Sequence, residues 1–224
     1  MRASASFSVT ATNIILRIQS IKALNASTYQ NTKEIKTMSK GKYNKKIAGF
    51  TFDYVRKAKH ISYGGLRLKK NIIGVALHWT EGVNDTAQNE CDFFATGNNR
   101  SAGAHIFIDR QGKVGLSIPL KYTAYSVMSR GYTSGAYDGI LDNTNTISIE
   151  LCGCKDIYDR ALPMSSAQEL ALYNVLRWIK KQCPNVKHFV RHYDIKRKPC
   201  PKYYVDNPEV WKHLKKYVEK VVFR

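Results

Sequence analysis

The stretch VRHYDIKRKPCP, from Val190 to Pro201, places His192, Lys198 and Cys200 within nine residues. An imidazole and a thiol are ligands for zinc, and an ammonium beside them can meet a developing oxyanion. In a helix, at about 1.5 Å per residue, His192 and Cys200 would stand about 12 Å apart, whereas ligands to one zinc lie within about 2.0 to 2.3 Å of it. Pro199 and Pro201 exclude that helix, so only a loop that curls back brings the two onto one ion. His78 ends the apolar run NIIGVALHW and supplies a third donor. Two imidazoles and a thiolate leave one tetrahedral position open, the pattern of a catalytic rather than a structural zinc. Each residue also has a plainer reading: a lone His at a strand end is commonly a hydrogen-bonded core or surface group, and a lone Cys a small apolar filler. A rival set, Cys152 and Cys154 with Cys91 or Cys183, has a C-x-C spacing shorter than the usual C-x2-C knuckle.

These donors need strands and loops to hold them. NIIGVALHW reads as a buried strand, and GAHIFIDRQGKVGLSI as two strands joined by a turn at Arg110 to Lys113. NTISIELCG alternates, with Ile147, Ile149 and Leu151 on one side and Ser148 and Glu150 on the other. Ser165 and Ser166 with Gln168 and Glu169 form capping-box pairs for a helix to about Gln182, whose inner face is Leu172, Val175, Leu176, Ile179 and Cys183. KHFVRH is a short strand delivering His192. A last helix begins at Asn207 with Pro208 in its first turn and an inner stripe of Val210, Leu214, Tyr217, Val218 and Val221.

A chain of 224 residues, 43% of them hydrophobic, can bury a substantial core. Thirty-six Lys and Arg against seventeen Asp and Glu give a net charge of +19, which draws the protein to nucleic acid, an anionic membrane face or an anionic wall polymer. Five cysteines at irregular spacing do not form a disulfide framework. No apolar run approaches the roughly 20 residues of a membrane span. Residues 1–33 lack any acidic side chain. Residues 1–48 therefore read as a basic, disordered leader, with Met38 as an alternative start, and 49–224 as one catalytic domain.

The ordered motifs VALHWT, RSAGAHIFIDRQGKV, NTISIELCG and VRHYDIKRKPCP together resemble the zinc-dependent N-acetylmuramoyl-L-alanine amidases of the second amidase family. That family includes phage endolysins and shares its fold with peptidoglycan recognition proteins. The match runs from about Ile72 to the last helix. The resemblance implies an α/β fold, a single domain with a central mixed sheet flanked by helices. It also implies one zinc ion per chain, held by His78, His192 and Cys200. It places His105 in the substrate cleft and gives Glu150 and Lys198 catalytic positions. The sequence departs from the family in two places: Ala104 stands where some members carry a catalytic Tyr, leaving Glu150 as the natural general base, and YTAYSVMSRG has Tyr125 and Ser126 where members often have His.

The expected function is hydrolysis of the amide between N-acetylmuramic acid and L-alanine in peptidoglycan, by a monomeric phage or prophage lysin made in the host bacterial cytoplasm. Anionic wall polymers are a further expected partner. A recognition module on the same fold, binding wall fragments without cutting them, is the alternative; it would usually lose a zinc ligand, and this chain keeps all three. A nucleic-acid binder lacks any docking motif to use the charge. Plainer readings exist for Glu150, as the partner of a lysine on a polar face, and for Lys198, as one of a solvated run with Lys196, Arg197 and Lys202.

Overall fold

The computed structural model describes residues 44–224. The leader through residue 43 lies outside the described residues. Among the described residues the first element is β1 (Lys45–Ile47), which returns antiparallel as β2 (Phe50–Phe52). Ala48 and Gly49, both at positive φ, make the two-residue turn whose twist matches a hairpin.

β3 (Tyr54–Val55) is the far edge of the main sheet, and β4 (Tyr63–Leu66) precedes β5 (Gly74–Trp79). A short helix, α1 (Ala87–Asp92), leads on to β6 (Ile106–Ile108), β7 (Val114–Leu116), β8 (Tyr122–Ala124) and β9 (Thr146–Leu151). Then follow α2 (Ser166–Gln182), β10 (His188–Arg191), α3 (His192–Ile195), α4 (Lys202–Asp206) and α5 (Pro208–Tyr217). The six-stranded sheet has the order β10-β5-β9-β6-β7-β3. β10, β5, β9 and β6 run parallel and β6–β7 is antiparallel, so the sheet is mixed; β4 and β8 pair separately. Every residue of β5 is buried, as expected of a central parallel strand covered on both faces. The β6–β7 turn is tied by Asp109, whose Oδ1 accepts from Gln111 N and Lys113 N, each at 3.0 Å.

α2 covers one face with Leu172, Val175, Leu176 and Ile179, all fully buried. Trp178 donates from Nε1 to Ile47 O at 3.1 Å and packs against Phe50 and Phe52, fastening the first hairpin to the helix. Only half of the expected capping box forms. Ser165 Oγ accepts from Gln168 N at 3.1 Å, but the buried Gln168 amide turns away to donate to Ile108 O and Cys152 O. Two buried carbonyl contacts made inside the core outweigh one to a helix N–H at its end. The last helix is also rotated from expectation: Val210 and Val221 are exposed, while Trp211, Leu214, Val218 and Val222 are buried. Trp211, the largest apolar side chain there, sets the facing.

The 125–141 segment crosses back over the sheet and is zipped to α3 by Gly135 N to Ile195 O, Tyr137 N to Asp194 O and Arg197 N to Thr133 O. Lys196 Nζ pairs with Asp138 at 2.5 Å on the same seam. A Cβ at Gly135 would press into the Asp194 carbonyl, which is backbone and cannot swing aside. Gly135→Ala is accordingly expected to cost about 1 to 3 kcal/mol, read as a lower urea midpoint with an unchanged slope.

Candidate metal centre

β5 and β9 run side by side with His78 directly opposite Glu150, so both side chains rise from the same sheet face. On the other side of β5, Arg191 pairs with Leu77, and the next residue, His192, meets His78 with ring centroids 4.7 Å apart. The chain then makes the single turn of α3 and doubles back: Tyr193 N donates to Cys200 O at 3.0 Å, closing the loop. That return sets Cys200 Sγ 3.8 Å from His78 Nδ1. Donors at about 2.1 and 2.3 Å from one tetrahedral ion are about 3.6 Å apart. Ligand atoms of His78, His192 and Cys200 all lie within 4.8 Å of one another, and all three residues are buried.

The polar atoms left without a protein partner are the test of fit. His192 Nδ1 is buried and unpaired, while His192 Nε2 contacts Ser129 Oγ at 3.0 Å, which fixes the ring; on His78 it is Nδ1 that faces Cys200, and Nε2 behind it is buried without a protein partner. Buried unpaired nitrogens are costly unless an ion or water completes them. Burial, and then the neighbouring cations, hold His78 well below its usual pKa; burial and Lys198 bring His192 down to about 3. Both rings are thus neutral, the form that binds a metal. Burial, then the Glu150 charge, pushes the Cys200 thiol up, while Lys198 pulls it down. A divalent cation would add a much stronger pull. The residues fit a tetrahedral metal with one open position.

Glu150 Oε2 is buried without a partner, and burial raises this carboxyl to about 8, against the pull of Lys198. Lys198 sits half-buried on the return loop, with His78, His192, Glu150 and Cys200 all within reach of its charge. Glu150 and Lys198 therefore join the trio. His105 does not line the cleft: it is fully buried, Nδ1 accepts from Ser148 N at 3.0 Å and Nε2 faces Tyr122 O at 3.1 Å and the Arg67 guanidinium. Strand pairing turns it into the sheet, where it holds the backbone of β9. The rival cysteines do not gather. Cys154 Sγ faces Gln168, Cys91 packs against Gly115, and the His-His-Cys trio is the one metal-competent cluster among the described residues.

Sequence reasoning missed Ser129 and the acidic neighbours Glu81, Asp85 and Glu90, whose charges act on Glu150. Glu90 itself is raised to about 7 by burial and by Asp85. Ser129, Glu81 and Asp85 lie in loops and Glu90 in the short α1, and only the fold brings them to the site.

The family described as N-acetylmuramoyl-L-alanine amidase matches residues 68–203, a span that includes the trio, Glu150 and Lys198. The chain belongs to this amidase family. Among curated relatives of this chain, the N-acetylmuramoyl-L-alanine amidase CwlL of Bacillus licheniformis is 26% identical over 170 residues, covering 74% of this chain and 46% of the relative. The N-acetylmuramoyl-L-alanine amidase BlyA of Bacillus subtilis (strain 168) is 28% identical over 180 residues, covering 76% and 47%. The chain thus spans about half the length of the curated relatives it matches. Among solved structures, PlyL superposes with a TM-score of 0.57 at 18% identity, over 74% of this chain and 96% of that one. The PlyG catalytic domain gives 0.55 at 20% identity, over 74% and 93%. At such identities the likeness establishes the shared amidase fold.

Proposed function

We propose that this chain hydrolyses the amide joining N-acetylmuramic acid to L-alanine in bacterial peptidoglycan, with one zinc held by His78, His192 and Cys200. The observation that carries this reading is the buried, neutral His-His-Cys trio facing a carboxylate one strand away. The names of the matched relatives support the choice of bond.

Zinc, when bound, lowers the pKa of a water to about 7 and polarises a carbonyl, the two aids that a poor electrophile such as an amide needs. Glu150 takes the proton of the attacking water and returns it to the departing amine, so its buried oxygen needs no other partner. Lys198, on the flank of the trio, meets the negative charge that grows on the carbonyl oxygen. Ser129 holds the His192 ring so that the opposite nitrogen stays directed at the ion. His105 supports β9 from within and touches no substrate. Among the described residues no helix is long and apolar enough to cross a membrane. The net charge of +19 supports adsorption to peptidoglycan and its anionic polymers, as suits a monomeric lysin of phage or prophage origin released from the host cytoplasm.

Digestion of purified peptidoglycan with zinc-loaded protein, followed by mass spectrometry, tests the proposal. Stem peptides carrying a free L-alanine amine, with intact glycan strands, are the expected products. New reducing sugar ends would assign a glycosidase, and tight binding with no product would leave a recognition module.

A further inference from the structure

The loop after β9 ends in a hairpin tip that the amide chemistry does not use. Ile157 and Tyr158, adjacent in sequence, stand there 74% and 72% exposed, the two most open large apolar side chains among the described residues. The tip is nonetheless rigid. Asp156 accepts from Tyr158 N at 2.9 Å and Arg160 N at 3.0 Å and pairs with Arg160 Nε at 2.7 Å. Leu162 N donates to Cys154 O at 2.8 Å below it, and Lys155 bridges to both Val83 and Ala161. The Arg160 guanidinium lies 5.3 Å from the Tyr158 ring centroid, backing one face of the ring. The other face is left to solvent. The next residue, Asp159, has its carboxylate 84% exposed and tied to Lys155 at 2.7 Å.

The tip adjoins the metal centre. It leaves the carboxyl end of β9, and its bridge partner Val83 leaves the carboxyl end of β5, the two strand ends that carry Glu150 and His78. In open α/β sheets that edge is where ligands sit. Glu81, between Val83 and the site, is near enough to act on both Lys155 at the base of the tip and Glu150.

We propose that Tyr158, backed by Arg160, is a stacking platform for a sugar ring of the glycan strand, forming a saccharide subsite continuous with the amide-cleaving centre. The inference rests on the peptidoglycan reading above. A pyranose offers a flat C–H face to the ring and hydroxyls to Asp159, and a pre-ordered ring loses little freedom when it is covered. A second copy of the chain is a poor occupant, because two side chains on one turn offer on the order of 300 Å², against about 800 Å² per partner in a stable interface.

The test uses the full-length, zinc-loaded chain and two substrates, a glycan strand of several disaccharide-peptide repeats and a single N-acetylmuramoyl-peptide. Tyr158→Ala is expected to raise KM on the strand about tenfold relative to KM on the single unit, with kcat on the strand held, and Tyr158→Phe to behave as wild type. Calorimetric titration with peptide-free glycan strand, which has no amide to cut, separates this inference from the reading it rests on. Binding to wild type and about tenfold weaker binding to Tyr158→Ala sustains the platform even if no amide is hydrolysed. An unchanged KM ratio in Tyr158→Ala, an equal loss in Tyr158→Phe, or no difference in glycan binding overturns it, whatever the amidase activity.

Discussion

Cys200→Ser protein is expected to lose its zinc and to release no stem peptide above background, while remaining folded. The thiol is buried and sits 3.8 Å from His78 Nδ1, so the substitution removes a donor from the trio itself. A serine hydroxyl does not ionise near neutral pH and is a far weaker ligand than a thiolate. Loss of a group that merely orients a ligand typically costs about 10- to 100-fold in metal affinity, and a ligand should cost more. The fold does not depend on the metal for its core: α2 and the sheet are joined by Leu172, Val175, Leu176 and Ile179, on the face away from the trio. Zinc content by elemental analysis, circular dichroism and stem-peptide release together check the prediction. A Cys200→Ser protein that keeps a full equivalent of zinc and cuts normally would remove Cys200 from the ligand set.

The His192–Cys200 half of the trio was legible before the fold because a local loop makes it, while its meeting with His78 depends on the β5–β10 pairing. Pro199 and Pro201 force the return that the Tyr193–Cys200 bond then closes, and the end of a continuous apolar strand fixes His78. Glu150 was legible as a carboxylate on an alternating strand, though its placement opposite His78 is a matter of strand order, which no local pattern records. His105 misled for a related reason. Its position before β6 matches a cleft residue in motif, but the pairing with Ser148 and the Arg67 guanidinium turn it inward. Arg67 itself donates to the carbonyls of Leu120, Asn143 and Thr146, two segments far from it in sequence. The stripe of the last helix failed by one position because Val210 and Trp211 both fit a helical period, and the larger side chain claimed the core.

Glu150→Gln should separate catalysis from metal binding. The amide has the carboxylate's size and can sit opposite His78 without disturbing the trio, so zinc content and KM stay near wild type. What it cannot do is take a proton from water, and loss of a general base typically lowers kcat by about 10² to 10⁴-fold. A residue that only filled space would not give that split. Stability supplies an independent sign. In the metal-free protein the Glu150 carboxyl is raised from 4.5 to about 8, chiefly by burial, so the unfolded chain ionises first as pH rises and the wild type is progressively destabilised between those values. Gln carries no such cost. Metal-free Glu150→Gln should therefore unfold at a higher midpoint than wild type near pH 8, with the gap closing towards pH 4.5. A site held ready for chemistry at the expense of stability shows this opposition, slower and firmer in one substitution. Full activity in Glu150→Gln would take Glu150 out of the mechanism, and a midpoint that falls with it would make the carboxylate a structural group instead.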